Sequence, residues 1–113
     1  MPRAICPRRG DVVWLDFDPH GGHEQAGRRP AVVLSHREYN RKTGLAIVCP
    51  MTSKVDTGWP FTVKGAEGIG VIADQVKCVD WRGRRARVKG KLDEATLRRV
   101  ITILSRVILP QTP

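Results

Sequence analysis

Residues 10–30 contain the side chains best suited to chemistry. This segment reads GDVVWLDFDPHGGHEQAGRRP, with His23 and Glu24 between two apolar runs and Arg28 and Arg29 at its end. The imidazole and the carboxylate can transfer protons, and the two guanidinium groups can bind anions. Pro19, Gly21, Gly22 and Gly27 predict a loop between the two runs. Loops on a rigid scaffold often carry function. A plain solvated hairpin loop is the alternative.

The apolar runs on either side of this loop are predicted to be strands. Residues 12–17 alternate between the two faces of a sheet, since successive side chains of a strand point to opposite sides. Residues 31–35 read AVVLS and are apolar on both faces, which is typical of a central strand. Residues 45–49 have the same character, and Pro50 is expected to end that third strand because proline donates no hydrogen bond.

The rest of the chain is predicted to complete a small curled sheet. Residues 36–44 indicate a short helix, residues 61–63 and 86–92 indicate strands, and residues 71–79 indicate a strand interrupted by a polar step. The residue expected to cap a final amphipathic helix is Asp93. The apolar residues of that helix recur at i, i+3, i+4 and i+7 spacing: Leu97, Val100, Ile101, Leu104, Val107 and Ile108. The predicted fold is mainly β (α+β), a small antiparallel sheet covered by a C-terminal amphipathic helix.

Length and composition favour one domain over residues 1–113, with residues 1–9 as a loose arm. No apolar run reaches membrane-spanning length and no secretory signal is recognisable, so the expected location is the cytoplasm. Cys49 and Cys78 lie in apolar runs and are expected to be buried, and the wide spacing from Cys6 predicts no disulfide framework. The His and Cys spacing indicates no metal site.

The formal charge of +9 predicts a polyanionic partner. A nucleic acid or an acidic protein fits this charge better than a membrane surface. Cations are concentrated in residues 77–91, where Asp80 is the only acid. Such a run is also typical of a solvated face, so the charge alone does not separate these interpretations.

Five segments, in this order, resemble the MazF/PemK (Kid) family of toxin ribonucleases. They are GDVVWLDFDP, GHEQAGRRPAVVLS, YNRKTG, the step Pro50-Met51-Thr52-Ser53, and GVIADQVKCVDW. The resemblance extends from about Arg9 to the final helix. It implies an SH3-like antiparallel β-barrel with a C-terminal helix, a homodimer, and metal-independent cleavage of single-stranded RNA at short sequences. It also implies neutralisation by a small antitoxin.

The resemblance assigns catalysis to Arg29 and Thr52, which match catalytic residues of MazF-type members. Cleavage of RNA without a metal uses the 2′-hydroxyl as nucleophile, and it needs a base, an acid and donors for the charged phosphorane. Arg29 can fork onto two phosphate oxygens, and Thr52 can donate its hydroxyl to the same phosphate. Glu24 or His23 can transfer the proton. The expected products carry a 2′,3′-cyclic phosphate and a 5′-hydroxyl.

Each of these residues also has a plainer interpretation. Arg29 can be a surface arginine paired with Glu24. Thr52 can cap the turn that follows Pro50, and His23 can be an exposed residue without a role.

Asp74 and His23 match residues with roles in Kid-type members. Those members also carry a catalytic arginine two residues before the aspartate, and Ile72 stands there in this chain. The resemblance therefore favours a mechanism centred on Arg29, and it leaves Asp74 to bind a base edge, hold the loop or tie down a strand bulge. The residues predicted to bind the substrate are Arg28, Asp74, Gln75, Lys77, Arg84 and Arg85. The aromatic candidates for base stacking are Trp14, Phe17, Tyr39 and Trp59.

The predicted partners are single-stranded RNA, a second copy of the chain, and an acidic, partly disordered antitoxin lying over residues 20–28. No cofactor is expected. Ile103 falls off the apolar stripe of the last helix, which suggests a contact with a partner subunit. Two alternatives share the fold: a CcdB-like toxin that binds gyrase, and an RNA-binding module without catalysis. A gyrase binder needs neither Arg29 nor Thr52.

Overall fold

The computed structural model describes residues 5–17, 27–55 and 58–111, which form seven strands and two α-helices. The strands are β1 (Asp11–Phe17), β2 (Gly27–Val33), β3 (Leu45–Thr52), β4 (Thr62–Lys64), β5 (Gly70–Ile72), β6 (Lys77–Asp80) and β7 (Arg87–Lys91). The helices are α1 (Arg37–Thr43) and α2 (Glu94–Ile108). The mainly β fold with a C-terminal helix is confirmed.

All strand pairs in this sheet are antiparallel, and the strand order is β4-β5-β3-β2-β1-β7, with β6 paired to β3. In the described part of the chain, β4 and β7 each have one neighbour, so the ladder does not close into a ring. The barrel implied by the resemblance is therefore an open seven-stranded sheet in this structure. As the sequence predicts, β2 is central, between β1 and β3.

Two apolar clusters lie on the two faces of this sheet. The first face carries Val12, Val32 and Cys49, and its cluster includes Leu97 and Val100 of α2. The second face has a separate cluster whose members on the central strands and the β6–β7 connection are Val13, Leu15, Phe17, Ala31, Val33, Ala46, Val48, Val79, Trp81 and Ala86. This arrangement confirms the predicted alternation along β1.

Pro50 does not end the third strand, because β3 continues through it to Thr52. It lies between Val48, the last residue paired with β6, and Met51, the first paired with β5. A proline removes one ladder donor, and a gap between two partner strands is a position where that loss is tolerated.

Cys78 is exposed, so the prediction that it is buried was wrong, whereas Cys49 is buried as expected. Only Val79 of β6 is buried, in the second cluster, so the opposite face of this strand, which carries Cys78, is uncovered. All three thiols are free. Burial, with a smaller contribution from the charge of Asp74, raises the pKa of Cys49 to about 12.

Residues 5–9 are packed against α1 and do not form a loose arm, whereas residues 1–4 of the arm predicted for residues 1–9 lie outside the described residues. Pro7 is fully buried, and its carbonyl accepts a hydrogen bond from Asn40 Nδ2 at 2.9 Å. The carbonyl of Asn40 in turn accepts from Trp81 Nε1 at 2.9 Å. The buried Asn40 therefore links the N-terminal segment to the second cluster.

The α2 helix begins as the sequence predicts. The Asp93 carboxylate accepts from the Thr96 N–H at 3.0 Å and from the Thr96 hydroxyl at 2.9 Å, and these bonds hold the pKa of Asp93 below its usual value. Ile103 packs against the first cluster of its own chain, so it is not the surplus apolar residue that the sequence suggested. The exposed apolar residues lie at the end of the helix instead: Val107, Ile108 and Leu109.

No helix among the described residues is long and apolar enough to cross a membrane.

Candidate active site

Arg29 and Thr52 project from the same face of the sheet, near the ends of the neighbouring strands β2 and β3. This ladder pairs Val33 with Val48 and Ala31 with Pro50. The ladder ends at the Ala31–Pro50 pair, two residues from Arg29 along β2 and two residues from Thr52 along β3. Residues two apart on a strand project from the same side. Paired residues of an antiparallel ladder project from the same side, so both side chains belong to the second face.

The backbone of Arg29 is held by its pairing with β1, the strand on the opposite side of β2 from β3. Arg29 pairs with Leu15 of β1, a fully buried residue of the second cluster. The β2 strand begins at Gly27, whose φ of +78° is a conformation that strains any residue with a side chain. The Arg29 side chain is exposed.

Thr52 is the last residue of β3 and is half-buried. Its Oγ1 accepts a hydrogen bond from the backbone N–H of Lys54 at 3.0 Å. The plainer interpretation, a threonine that caps the following turn, is therefore part of what this residue does. Because the hydroxyl is the acceptor in that bond, its own proton remains able to donate to another group.

Lys77 lies on the second face as well, because it pairs with Val48 of β3. Its Nζ is 5.6 Å from the ring centroid of Phe17, which is buried and so cannot stack on a base as the sequence suggested. The second face thus carries an arginine, a threonine hydroxyl and an ammonium group along one side of its apolar cluster. Such a set can bind an anion through charge-assisted hydrogen bonds.

His23 and Glu24 lie outside the described residues. Phe17 and Gly27, which bracket their segment, are paired with each other at the end of the β1–β2 ladder.

Arg28, Arg84 and Arg85 form a different group, on the first face, around Asp16. Arg28 Nη1 is 2.8 Å from Asp16 Oδ1, and Arg85 Nε is 3.5 Å from Asp16 Oδ2. Arg84 Nη1 donates to the Asp16 carbonyl at 3.1 Å. Neighbouring residues of a strand point to opposite faces, so Arg28 is separated from Arg29 although both were predicted for one site. We call these four residues the Asp16 cluster.

Asp74 holds an exposed aromatic ring. Its Oδ1 accepts from Trp59 Nε1 at 2.9 Å, and Trp59 meets Phe61 edge-on with centroids 6.1 Å apart. Of the open interpretations of Asp74, this contact agrees with holding the loop. Gln75 is exposed beside it.

Three of the predicted stacking residues are exposed: Trp14, Tyr39 and Trp59. Trp14 is covered by the Lys89 ammonium, 4.9 Å from its ring centroid. Tyr39 Oη lies 3.8 Å from Cys78 Sγ. These contacts leave Trp59 as the most accessible of the three rings.

A groove of about 360 Å³ opens on the first face, between Val12, Met51, Lys89 and Asp93. It lies on the opposite side of the sheet from Arg29 and Thr52, so its size does not mark it as the place of their chemistry. In residues 5–17, 27–55 and 58–111, no three His, Cys, Asp or Glu side chains are grouped so that they could hold a metal ion.

Sequence reasoning missed Asp16 and the role of Trp59 as a partner of Asp74. The contact of Asp16 with Arg28 could have been predicted, because a hairpin between residues 12–17 and 28–33 brings the two residues side by side. Its contact with Arg84 spans 68 residues and has no signature in the sequence.

Comparison with known proteins gives a consistent result. Residues 8–108 match the family model described as "PemK-like, MazF-like toxin of type II toxin-antitoxin system". The endoribonuclease toxin MazF of Escherichia coli K12 is 50% identical over 93 residues, which cover 80% of this chain and 83% of that protein.

Solved structures agree with this match. The crystal structure of MazF from Deinococcus radiodurans superimposes with a TM-score of 0.84 at 40% identity, covering 93% of this chain and 98% of that one. MazF in a MazE–MazF crystal structure from the same organism gives a TM-score of 0.82 at 40% identity, covering 93% and 97%.

Proposed function

The chain belongs to the PemK-like, MazF-like toxin family of type II toxin–antitoxin systems and is an endoribonuclease toxin, and we propose that it cleaves single-stranded RNA without a metal ion. The reaction is an internal transesterification. The 2′-oxygen forms a bond to the adjacent phosphorus while the bond from phosphorus to the 5′-oxygen breaks. The 2′-hydroxyl proton passes to a base, and an acid protonates the leaving oxygen.

Arg29 and Thr52 stabilise the charge that builds up on the phosphorane. The guanidinium forks onto two non-bridging oxygens, and the Thr52 hydroxyl donates to the same group. The observation that carries this proposal is the alternation along the paired strands β2 and β3, which puts Arg29 and Thr52 on one face near the end of their ladder. The hydroxyl accepts from Lys54 N–H, an orientation that supports donation away from the turn.

Proton transfer falls to Glu24 or His23. Their segment leaves β1 at Phe17 and enters β2 at Gly27, two residues before Arg29. Lys77 on the second face and the Asp16 cluster on the first face supply further positive charge for the RNA backbone. Gln75, Asp74 and the Trp59 ring that is hydrogen-bonded to Asp74 contact the bases.

The test is cleavage of a single-stranded RNA by purified protein in EDTA, followed by analysis of the new ends. We expect full activity, a 2′,3′-cyclic phosphate (or its opened 3′-phosphate) and a 5′-hydroxyl. Loss of activity in EDTA with recovery in magnesium would contradict the proposal, as would products with 5′-phosphates.

An antitoxin and a second copy of the chain are the proposed protein partners. The related MazF of Deinococcus radiodurans crystallises with MazE, which supports the first. The exposed apolar end of α2 supports the second, because a small domain gains by covering such residues. An acidic antitoxin segment over residues 20–28 should compete with RNA and bind less tightly as salt rises.

Titration of the antitoxin at two RNA concentrations measures that competition. Charge reversal at Arg28, Arg84 and Arg85 should weaken inhibition. If inhibition changes neither with RNA concentration nor with charge reversal, the antitoxin does not bind over residues 20–28. A monomeric mass in light scattering at micromolar protein would refute the homodimer.

A further inference from the structure

The Asp16 cluster joins three separate segments at the point where the predicted catalytic segment begins and ends. Asp16 is the penultimate residue of β1, and Arg28 is the second residue of β2. Arg84 and Arg85 lie in the turn between β6 and β7. The backbone of Asp16 is also tied to that turn, since its N–H donates to the Arg84 carbonyl at 2.9 Å.

Arg28 is held at both ends of its guanidinium fork. Nη1 donates to Asp16 Oδ1 at 2.8 Å, and Nη2 donates to the Arg85 carbonyl at 2.7 Å. Two bonds from one planar group restrict its position far more than one bond does. The Arg28 side chain is therefore fixed to both β1 and the β6–β7 turn.

The first half of β2 depends on such anchors. Pairing with β3 stops at Ala31, so residues 27–30 are held in the ladder by β1 alone. The next residue after Arg28 is Arg29, the proposed catalytic arginine. Any shift of the β2 backbone at Arg28 moves Arg29 relative to Thr52, which belongs to another strand.

We infer that Asp16 is a positioning residue for RNA cleavage, which fixes Arg28 on one face of β2 so that Arg29 is held at the phosphate on the other. The inference rests on the proposed function of Arg29. Asp16 does not touch the substrate in this account. It acts through the two arginines, and its effect is on the geometry of the reacting groups.

A competing role for Asp16 predicts the opposite kinetics. If the cluster only binds the RNA backbone, the Asp16 carboxylate repels phosphates, and its removal should tighten RNA binding and leave kcat unchanged. If Asp16 positions Arg29, its removal should lower kcat without raising KM, because misplacement of a catalytic group by about 1 Å costs on the order of 100-fold.

The first experiment compares kcat and KM of Asp16→Ala and Asp16→Asn on one RNA oligonucleotide in EDTA. We expect Asp16→Ala to lower kcat about 10- to 100-fold with KM unchanged or lower. Asn keeps the oxygen that accepts from Arg28, so Asp16→Asn should restore most of the loss. The matched control is Glu38→Ala, which removes an equal charge from an α1 ion pair with Lys42 and should change neither constant.

A second variant tests the inference even if Asp16→Ala does not fold. Arg28→Lys keeps the charge but cannot bridge both acceptors, so it should also lower kcat at constant KM. Amide hydrogen exchange of Gly27 to Arg29 gives a readout that does not depend on activity, and it should rise in Asp16→Ala and return in Asp16→Asn.

An unchanged kcat in Asp16→Ala and Arg28→Lys would overturn the inference, as would equal damage from Asn and Ala or unchanged exchange. Failure of the proposed function looks different. In that case the wild-type protein does not cleave in EDTA, and the exchange data alone decide whether Asp16 holds the start of β2.

Discussion

The two halves of β2 differ in burial and in strand pairing. Ala31, Val32 and Val33 are fully buried between the two apolar clusters, whereas Gly27 and Arg29 are exposed. The buried half pairs with strands on both sides, and the other half pairs with β1 alone. One strand therefore serves as core at one end and as the candidate site at the other.

The difference shows how a small sheet can position a site without building a deep pocket. Alternate packing of Val32 on one face and of Ala31 and Val33 on the other fixes the register, because a slip of one residue would turn each side chain to the wrong face. The exposed half continues the same alternation, which places Arg29 on the second face together with Thr52. Stability and activity should therefore separate along this one strand.

Arg29→Ala should give the largest effect and should act on catalysis alone. Removing a donor to transition-state charge typically costs about 100- to 1000-fold in kcat. Thermal unfolding should be nearly unchanged, since the side chain is exposed. Arg41→Ala, an exposed arginine in the last turn of α1, is the matched control for loss of one charge. Near-wild-type cleavage by Arg29→Ala would remove this arginine from the mechanism.

Val33→Ala, in the buried half of β2, should lower stability and leave catalysis nearly unchanged. The loss of two methyl groups and the cavity that remains should cost about 2–3 kcal/mol of unfolding free energy. Cleavage by the protein that stays folded should change little. Urea denaturation and a rate measured well below the midpoint test both statements, and a large fall in kcat at full folding would break the separation.

His23→Ala should have a smaller effect than Arg29→Ala. General acid–base catalysis typically contributes about 100-fold or more, but Glu24 can also transfer this proton. The pH dependence of kcat should then keep one limb of its profile in the variant. A loss equal to that of Arg29→Ala would instead make His23 indispensable and would shift the centre of the mechanism to residues 18–26.

The smallest effect concerns pH and the buried Cys49. Its pKa is raised to about 12 in the folded protein, from an ordinary value of 9.0. The unfolded chain therefore loses this proton first, and stability that is complete below pH 9 is lost as pH rises towards the folded value. Unfolding free energy should fall more steeply above pH 9 in the wild type than in Cys49→Ala. Parallel curves would show that the thiol does not titrate in this way.

Much of the fold follows from local patterns in the sequence. Strict alternation identified β1, and a fully apolar run identified β2 as central. Asp93 and the spacing of Leu97 and Val100 predicted the last helix, because capping and periodicity are local properties.

The errors came from non-local facts. Cys78 is exposed because β6 is covered on one face only, the face of Val79, and nothing within its apolar run reveals that. Pro50 is tolerated because β3 changes partner beside it.

The candidate site was predictable only in part. Residue types and the family resemblance pointed to Arg29 and Thr52, but their placement on one face depends on the pairing of β2 with β3, which are separated in the chain by helix α1. The split of Arg28 from Arg29 follows from strand alternation once β2 is known to begin at Gly27. The sequence suggested a glycine-rich loop up to that point, and so placed both arginines on one connection.

A double-mutant cycle on cleavage tests the central claim that Arg29 and Thr52 act on one phosphate. The variants are Arg29→Ala, Thr52→Val and the combination, assayed for kcat/KM on one RNA oligonucleotide in EDTA. Groups that share a transition state are coupled, so the double variant should be markedly less impaired than the product of the two single losses. Losses that simply multiply would mean that the two residues act independently, and the shared site on the second face would be wrong.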